Sequence, residues 1–414
     1  MEERHAAVRR ITPPVLGDPD AVTEVLEALG AAAVEVRYVG GCVRDSLLGR
    51  FLSDIDLATP APPERVMEVL QAAGVKVIPT GLSHGTVMAV VRGQPFEITT
   101  LRRDVETDGR RAVVAFTDCW RADAARRDLT MNALSCDPEG WLYDYFGGLE
   151  DLEAGRVRFI GDPAVRIAED YLRLLRFYRF LAHYGRTRPE ETALRATAEA
   201  APQLATLSGE RIRVELLKLL AAPEPENTLT LMAEQGILPH LLPDRLDIAS
   251  LGRLRALELA ADSLLRLAAL LPAAPEAVER TSQRLRLSRV ETSRLAALCQ
   301  ADAFKRYPPD TLELRRALHE RGPQLVADQL RVIAARLDEP LSDDVMARVD
   351  NWTPKPLPIK GRDLLADGFE KGPALGRLLS QLEDWWLEQD RKPDHRDLLE
   401  KARSLQQRQD GASR

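Results

Sequence analysis

The sequence predicts an α/β domain at the amino-terminal end followed by domains that are entirely helical. The chain has 414 residues, and a single core usually stops growing at ~250–300 residues, so several domains are expected. Short β-branched runs separated by Gly and Pro occupy the amino-terminal part. Beyond them, Leu, Ala and Arg residues recur at helical spacing.

The segment from Val36 to about Asp144 predicts a mixed α/β domain built on one sheet. We expect two helices, over 20–33 and 63–73, because apolar residues there recur every three or four positions. Runs rich in β-branched and aromatic residues predict strands. These strands are expected over 36–39, 54–57, 75–78, 87–91, 96–100 and 113–116.

From about Asp162 onward the apolar spacing predicts helices alone. The clearest examples are 171–184, 210–220, 247–271 and 377–387. Because proline cannot continue a helix, Pro-rich joints are expected to divide this part into smaller bundles. These joints lie at 222–225, 271–275, 307–309 and 353–358. The polar end, 406–414, is expected to fray.

The net charge and the cysteine content limit the classes of protein to which the chain can belong. The chain has 57 basic and 64 acidic residues and a net charge of −7, so a nucleic-acid site would need a local concentration of positive charge. Four cysteines without a C-x-x-C pair are typical of reduced thiols. Residues 1–14 lack the apolar core of a secretory signal, and no apolar run approaches the ~18 residues of a membrane span. We therefore expect a soluble, cytoplasmic protein with no membrane partner.

Two carboxylates close together form the first candidate catalytic group. Asp54 and Asp56 flank Ile55 on a predicted strand, so both carboxylates point one way while Ile55 faces the core. Two such charges repel unless a cation lies between them, and hard oxygen ligands favour Mg²⁺ bridging to phosphate oxygens. An isolated Asp-x-Asp, however, is more often a solvated strand face.

A glycine turn precedes the carboxylate pair. Gly40 and Gly41 end a strand where a helix begins, and the absence of Cβ atoms would let backbone N–H groups approach a phosphate. Arg44, one turn into that helix, would contact phosphate or ribose. Gly-Gly alone usually marks only a turn. Gly-Gly-x-x-Arg-Asp followed by Asp-x-Asp is much more specific.

Residues 38–59 resemble the first signature of the class II tRNA nucleotidyltransferases and bacterial poly(A) polymerases, in the polymerase-beta-like nucleotidyltransferase superfamily. The resemblance implies a template-independent enzyme that adds nucleotides to an RNA 3′ end. It also implies an α/β head with the polymerase-beta-like nucleotidyltransferase fold followed by all-α neck, body and tail domains. We place these at 1–150, 151–222, 223–352 and 353–414.

A third carboxylate is common in that superfamily, on a later strand that faces the pair. Glu97 occupies the matching strand here. It would orient the metal or accept the proton of the attacking 3′ hydroxyl. The alternative is a surface glutamate on an edge strand.

Residues 126–134 match the second family signature, R-R-D-x-x-x-N-A. Asp128 and Asn132 stand at i and i+4, on one face of an expected helix. By resemblance Arg127 contacts the nucleotide, and Asp128 and Asn132 lie near its ribose. Paired arginines are otherwise most often solvated helix surface. Residues 144–152 resemble the hinge between head and neck, where glycines would supply freedom to pivot.

Asp170, Arg173, Arg176 and Arg179 recur every third residue. The spacing alone fits an amphipathic basic helix equally well. Cytosine and adenine both present an amine donor beside a ring-nitrogen acceptor, whereas uracil and guanine present the reverse. Asp only accepts and Arg only donates, so an Asp170/Arg173 pair would select C and A. In the resembled family this pair reads the base, and Arg176 and Arg179 are further nucleotide contacts.

Later segments bear on the RNA partner. Residues 207–217 and 361–376 resemble further family motifs, and Arg211 either braces the neck or contacts RNA. Residues 102–112 resemble the flexible loop of enzymes that add the complete CCA sequence. We therefore predict addition of C, C and A to tRNA from CTP and ATP, with Mg²⁺ as cofactor and no DNA partner. The alternatives are a poly(A) polymerase and a non-catalytic RNA-binding protein on a polymerase scaffold.

Overall fold

The computed structural model describes residues 7–82, 85–107, 112–300 and 303–412. The chain forms two compact units. The first runs to Pro243 and includes Gln283–Arg286, and the second comprises Asp244–Ser282 and the remainder from Leu287. Within the described ranges, no helix is both long and apolar enough to cross a membrane.

The first unit begins with a mixed sheet. In the described residues its eight strands are ordered β1-β10-β9-β2-β3-β6-β5-β4, and β7 and β8 form a separate antiparallel pair. Strands β3 and β6 run parallel, and the other neighbours are antiparallel. The strands are β1 (Ala7–Arg10), β2 (Arg37–Val39), β3 (Asp56–Thr59), β4 (Lys76–Gly81), β5 (Thr86–Val91), β6 (Gln94–Thr100), β7 (Arg102–Thr107), β8 (Ala112–Phe116), β9 (Ser135–Cys136) and β10 (Trp141–Tyr143).

Helices cover this sheet and bury its apolar side chains. Helix α1 begins where Asp18 accepts a hydrogen bond from the Asp20 N–H at 3.0 Å, and Pro19 occupies its first turn. Its buried Val25 and Leu29 lie on the side that packs against α3 and β5. The helices of this part are α1 (Pro19–Ala31), α2 (Gly41–Leu47), α3 (Pro63–Ala72), α4 (Trp120–Ala125) and α5 (Gly148–Ala154).

The rest of the first unit is a helical bundle. Its α-helices are α6 (Pro163–Glu169), α7 (Leu172–Tyr184), α8 (Glu191–Ala200), α9 (Gly209–Leu220), α10 (Pro225–Glu234) and α11 (Leu238–Leu241). Helix α7 packs against α9 and α10. Its Leu174 and Phe177 are fully buried, and Phe177 stacks on Phe159 with ring centroids 5.1 Å apart. The apolar face of α7 therefore fixes which side its arginines occupy.

The second unit consists of helices over its described residues. They are α12 (Ile248–Leu257), α13 (Ser263–Leu270), α14 (Pro275–Leu285, which ends in the first unit), α15 (Arg289–Cys299), α16 (Thr311–Arg321), α17 (Pro323–Leu337), α18 (Asp343–Asp350), α19 (Gly361–Ala366), α20 (Pro373–Glu388) and α21 (His395–Ala412). Two apolar clusters, within 303–349 and 359–402, lie on either side of the Pro-rich segment 353–358. The four-domain division stays a prediction.

Several expected elements differ from the observed ones. The single helix expected over 247–271 is two helices, because the Asp262 carboxylate accepts hydrogen bonds from the Leu264 and Leu265 N–H groups and starts α13 anew. The end expected to fray is helical to Ala412. The strand expected over 113–116 is present, but it pairs with residues 102–107 apart from the main sheet. Residues 108–111, in the segment that resembles a flexible loop, lie outside the described residues.

Candidate active site

The glycine turn lies where β2 meets α2, as the sequence predicts. Gly40 has φ +71°, and a Cβ atom there would lie 2.9 Å from Nη1 of Arg127. The turn therefore needs glycine for its backbone angle, and a Cβ atom there would also displace the end of the Arg127 side chain. Gly41 is the first residue of α2.

The carboxylate pair lies at the start of β3. The strand begins at Asp56, so the expected strand over 54–57 is wrong at its start and Asp54 precedes it. The alternation still holds, because Asp54 is exposed, Ile55 is buried and Asp56 is half-buried. Asp56 stands opposite Glu97 in the parallel pairing of β3 with β6.

These three carboxylates form one electrostatic group. Burial, together with the charges of Asp54 and Glu97, raises the pKa of Asp56 to about 6, against the opposing charge of Arg127. A carboxylate in this position is stabilised by a cation. The start of β3 and the neighbouring Glu97 on β6 therefore carry an excess of negative charge beside the guanidinium group of Arg127.

The protein side chains alone would supply only part of the coordination shell of a divalent cation. Among the described residues, no three His, Cys, Asp or Glu side chains are grouped closely enough to hold a metal ion. Asp54 and Asp56 supply hard carboxylate oxygens from one strand start. A cation held there would complete its coordination with phosphate oxygens and water, as Mg²⁺ characteristically does.

Arg44 lies in contact with the helical bundle rather than in solvent, at 7% exposure. It forms a salt bridge with Asp45 at 2.7 Å and donates to Oδ1 of Asn132 at 2.6 Å. Its guanidinium lies 4.4 Å from the ring centroid of Tyr184, whose hydroxyl donates to Asp45 at 2.8 Å. The predicted nucleotide contact is thus also a link between α2 and α7.

The helix expected around 128–132 is absent. Only a short 3-10 turn forms, over Thr130–Asn132, but Asn132 still donates to Oδ1 of Asp128 at 2.9 Å. Asp128 also accepts from Nε of Arg176 at 2.6 Å. The two residues are adjacent as expected, although their position is set by a tertiary ion pair and not by a helical face.

The Asp128 and Arg176 ion pair should give the protein a pH-dependent part of its stability. Against burial, Arg176 and the hydrogen bonds from Asn132 and Leu129 lower the pKa of Asp128 to about 2. A lowered folded-state pKa stabilises the protein above the unfolded pKa of ~4, and this is lost as the pH falls through about 2. We expect Asp128→Asn to lower the free energy of unfolding by about 2 kcal/mol at pH 7.

Chemical denaturation of wild type and Asp128→Asn between pH 7 and pH 3 measures this contribution. The difference between the two proteins should stay constant above about pH 4 and shrink below it. A difference that is the same at pH 7 and pH 3 would contradict the assignment.

Asp170 is not on a helix, contrary to the three-residue spacing. It lies between α6 and α7 with extended backbone angles, φ −156° and ψ 108°, and accepts from the Leu172 N–H at 3.1 Å. Its other carboxylate oxygen accepts from Nη2 of Arg211 at 2.7 Å. Asp170 thus forms a turn with the Leu172 N–H just before α7, whose N-cap residue is Tyr171.

Arg173 is held by different partners. It forms a salt bridge with Glu169 and donates to the carbonyl oxygens of Arg166 at 3.1 Å and Arg126 at 3.0 Å. Farther along α7, Nε of Arg179 lies 3.1 Å from Glu215 on α9. The structure therefore brings Asp170, Arg173, Arg176 and Arg179 to one side of the bundle, each against a fixed acidic or basic partner.

Sequence reasoning missed some of these partners. Glu215 stands four residues after Arg211 on α9, so their shared helical face was a readable signal. Asp45 follows Arg44 directly. Tyr184 gave no signal, because its contact with Asp45 joins positions 139 residues apart.

The described geometry agrees with comparisons to known proteins. A family model described as "Poly A polymerase head domain" matches residues 36–158, and one described as "Probable RNA and SrmB- binding site of polymerase A" matches residues 188–247. The chain is 37% identical over 381 residues to a mitochondrial CCA tRNA nucleotidyltransferase 1 of Danio rerio, covering 89% of this chain and 86% of that one. It is 33% identical over 369 residues to a CCA-adding enzyme of Streptococcus gordonii, covering 87% and 90%.

The solved structures agree with the relatives. A Bacillus stearothermophilus CCA-adding enzyme in complex with CTP superimposes with a TM-score of 0.76 at 27% identity, covering 96% of this chain and 100% of that one. The mixed-sheet head followed by helical domains, and the family resemblance of the motifs, are thereby confirmed. The chain belongs to the CCA tRNA nucleotidyltransferase family of enzymes, the CCA-adding enzymes.

Proposed function

We propose that this chain adds C, C and A to the 3′ end of tRNA from CTP and ATP and releases pyrophosphate. One structural observation supports this proposal most directly. Two consecutive arginines, Arg126 and Arg127, connect Arg173 with the carboxylate Asp56. The Arg126 carbonyl accepts from Arg173, and the Arg127 guanidinium opposes the charge of Asp56. Arg173, which would read the base, is therefore linked to the carboxylates at the start of β3 through one backbone segment.

Asp54 and Asp56 would hold Mg²⁺, which when bound activates the primer hydroxyl and stabilises charge on the leaving pyrophosphate. Arg127 opposes the charge of Asp56 and would bind the nucleotide phosphates. Glu97, in register with Asp56, would orient the site or accept the proton of the 3′ hydroxyl.

Base selection would rest on Asp170 and Arg173. The carboxylate accepts from the exocyclic amine of C or A, and the guanidinium donates to the adjacent ring nitrogen. Uracil or guanine would set acceptor against acceptor and donor against donor, at a cost of about 1–3 kcal/mol for each unpaired group. Arg211 and Glu169 hold the two side chains in place for this contact.

Arg211 should therefore act as a positioning residue for Asp170. We expect Arg211→Ala to reduce the preference for CTP and ATP over UTP and GTP by about tenfold, because the released carboxylate no longer holds one orientation. Single-nucleotide incorporation assays with each of the four triphosphates measure the preference. Arg211→Lys should restore part of it, and a selectivity in Arg211→Ala equal to that of wild type would refute this role.

The remaining helical parts would bind tRNA. The match of residues 188–247 to a family model described as a probable RNA-binding site supports a contact in the bundle. The cytoplasm is our proposed location, because all four cysteines are free. Imaging a tagged chain would distinguish it from the mitochondrion, which the name of the Danio rerio relative specifies.

Incubation with Mg²⁺, labelled CTP and ATP, and tRNA lacking its 3′ end tests the proposal. We expect CTP alone to give two additions and CTP with ATP to give three, after which extension stops. Long A tracts would instead indicate a poly(A) polymerase. Binding of tRNA without incorporation would indicate a non-catalytic RNA-binding protein.

A further inference from the structure

A small basic cavity in the first unit combines two predicted nucleotide contacts, Arg44 and Arg179, with residues that the reaction described so far does not use. Its volume is about 230 Å³, room for several water-sized groups at roughly 30 Å³ each. We call it the neck pocket. It is lined by Arg44, Arg179, Phe180, His183, Tyr184, Lys218 and Ala221.

Positive charge is in excess around the neck pocket. Asp45 neutralises Arg44, and Glu215 neutralises Arg179. Lys218 is exposed and forms no ion pair with another described residue. Arg50, nearby, donates to the His183 carbonyl at 2.8 Å and lies 4.4 Å from the Tyr184 ring centroid. Two cations therefore face this region without a carboxylate partner.

The walls of the pocket are fixed by contacts between α2, α7 and α9. His183 Nε2 lies 2.7 Å from the Lys218 carbonyl oxygen, which joins the end of α7 to α9. Tyr184 and Phe180 stack with centroids 5.5 Å apart. The His183 and Lys218 carbonyls, which would repel an anion, are already engaged with Arg50 and His183. The cations are thus presented on a prearranged surface.

The titration of neighbouring groups agrees with an uncompensated positive field. Burial lowers the pKa of His183, and Arg179, Arg50 and Arg44 lower it further against the hydrogen bond to Lys218. Burial also lowers the pKa of Arg179, with Arg176 and Arg44 contributing against the attraction of Glu215. A bound anion would relieve this mutual repulsion.

We propose that the neck pocket binds a phosphate group of a substrate, with Lys218 as the contact that completes it. The inference rests on the proposed function, because the phosphate comes either from the RNA backbone near the 3′ end or from the incoming nucleotide. Lysine binds phosphate as a point charge, and Arg50 lies nearby as the second cation without a carboxylate partner among the described residues.

Lys218→Ala tests the proposal on the full-length protein. The exposed side chain can be removed with little effect on folding, which thermal unfolding verifies. We expect a rise of about fivefold or more either in the Kd for tRNA lacking its 3′ end or in the KM for CTP. Lys218→Arg should stay close to wild type. Lys76→Ala, at an exposed lysine on β4, is the matched control.

The two measurements separate the sources of the phosphate. A weaker tRNA Kd whose slope against log salt concentration is shallower by about 0.7–1 assigns the pocket to RNA. A raised KM for CTP with unchanged tRNA binding assigns it to the nucleotide. Wild-type values for both would overturn the inference. A wild-type protein that adds no nucleotide would count against the proposed function instead, while the tRNA Kd would still test the pocket.

Discussion

Asp54→Ala is expected to abolish nucleotide incorporation while tRNA binding persists. Asp54 is exposed and accepts one hydrogen bond, from Ser53 at 2.9 Å, so its removal should cost little stability. Its loss would halve the carboxylate pair and weaken metal-assisted transfer. We expect the rate of the first CMP addition to fall by about 10³-fold or more, equivalent to ~4 kcal/mol of lost transition-state stabilisation.

Three readouts make this test decisive. Quench-flow incorporation gives the rate, tRNA gel shift gives the retained binding, and Mg²⁺ titration shows whether high metal concentration partly restores activity. Glu64→Gln, at an exposed acidic residue in the first turn of α3, is the control and should react like wild type. Turnover at the wild-type rate in Asp54→Ala would refute the metal assignment.

Arg173→Ala is expected to relax nucleotide choice. The side chain is held by Glu169 and by two backbone carbonyls, so in the proposed role its remaining N–H donors would meet the base in a fixed orientation. Without it, the donor that distinguishes a ring-nitrogen acceptor from a ring N–H is lost. We expect the ratio of kcat/KM for CTP over UTP to fall by about 10- to 100-fold, from a lost contact of about 1–3 kcal/mol.

The comparison with two further variants isolates this effect. Arg195→Ala removes an exposed arginine of α8 and should leave selectivity unchanged. Arg173→Lys keeps the charge and loses the planar fork, so an intermediate ratio is expected. An unchanged CTP over UTP ratio in Arg173→Ala would refute base reading by this side chain.

Most of the helices and strands could be predicted, because residues that are close in sequence determine them. The spacing of Leu174 and Phe177 and the strand run of 87–91 depend on side chains near in sequence. The short strands β9 and β10 could not be predicted, because two or three residues carry no periodicity. The polar strand β1 pairs with β10, more than a hundred residues away, so its cause is tertiary.

The candidate site divides in the same way. Asp54, Asp56 and the glycine turn lie within one short segment, and their arrangement follows from strand alternation and backbone freedom. Asp128 and Asn132 were expected on a helix, yet it is Arg176 from a distant helix that sets their geometry. Asp170 was expected in a helical series, whereas it has extended backbone angles between α6 and α7 and its carboxylate accepts from the Leu172 N–H. Sequence spacing therefore identified these residues but did not predict their backbone conformation.

The polar contacts that join α2, α7 and the segment 128–132 have a consequence for sequence divergence. Tyr184, Asp45, Arg44, Asn132, Asp128 and Arg176 form one connected set of hydrogen bonds and ion pairs. Substitution of one member leaves its poorly hydrated hydrogen-bond or ion-pair partner without a contact, whereas a matched substitution of both partners does not. Descendants of this chain can therefore alter the set most cheaply through coordinated double substitutions, and single replacements there meet a fitness barrier.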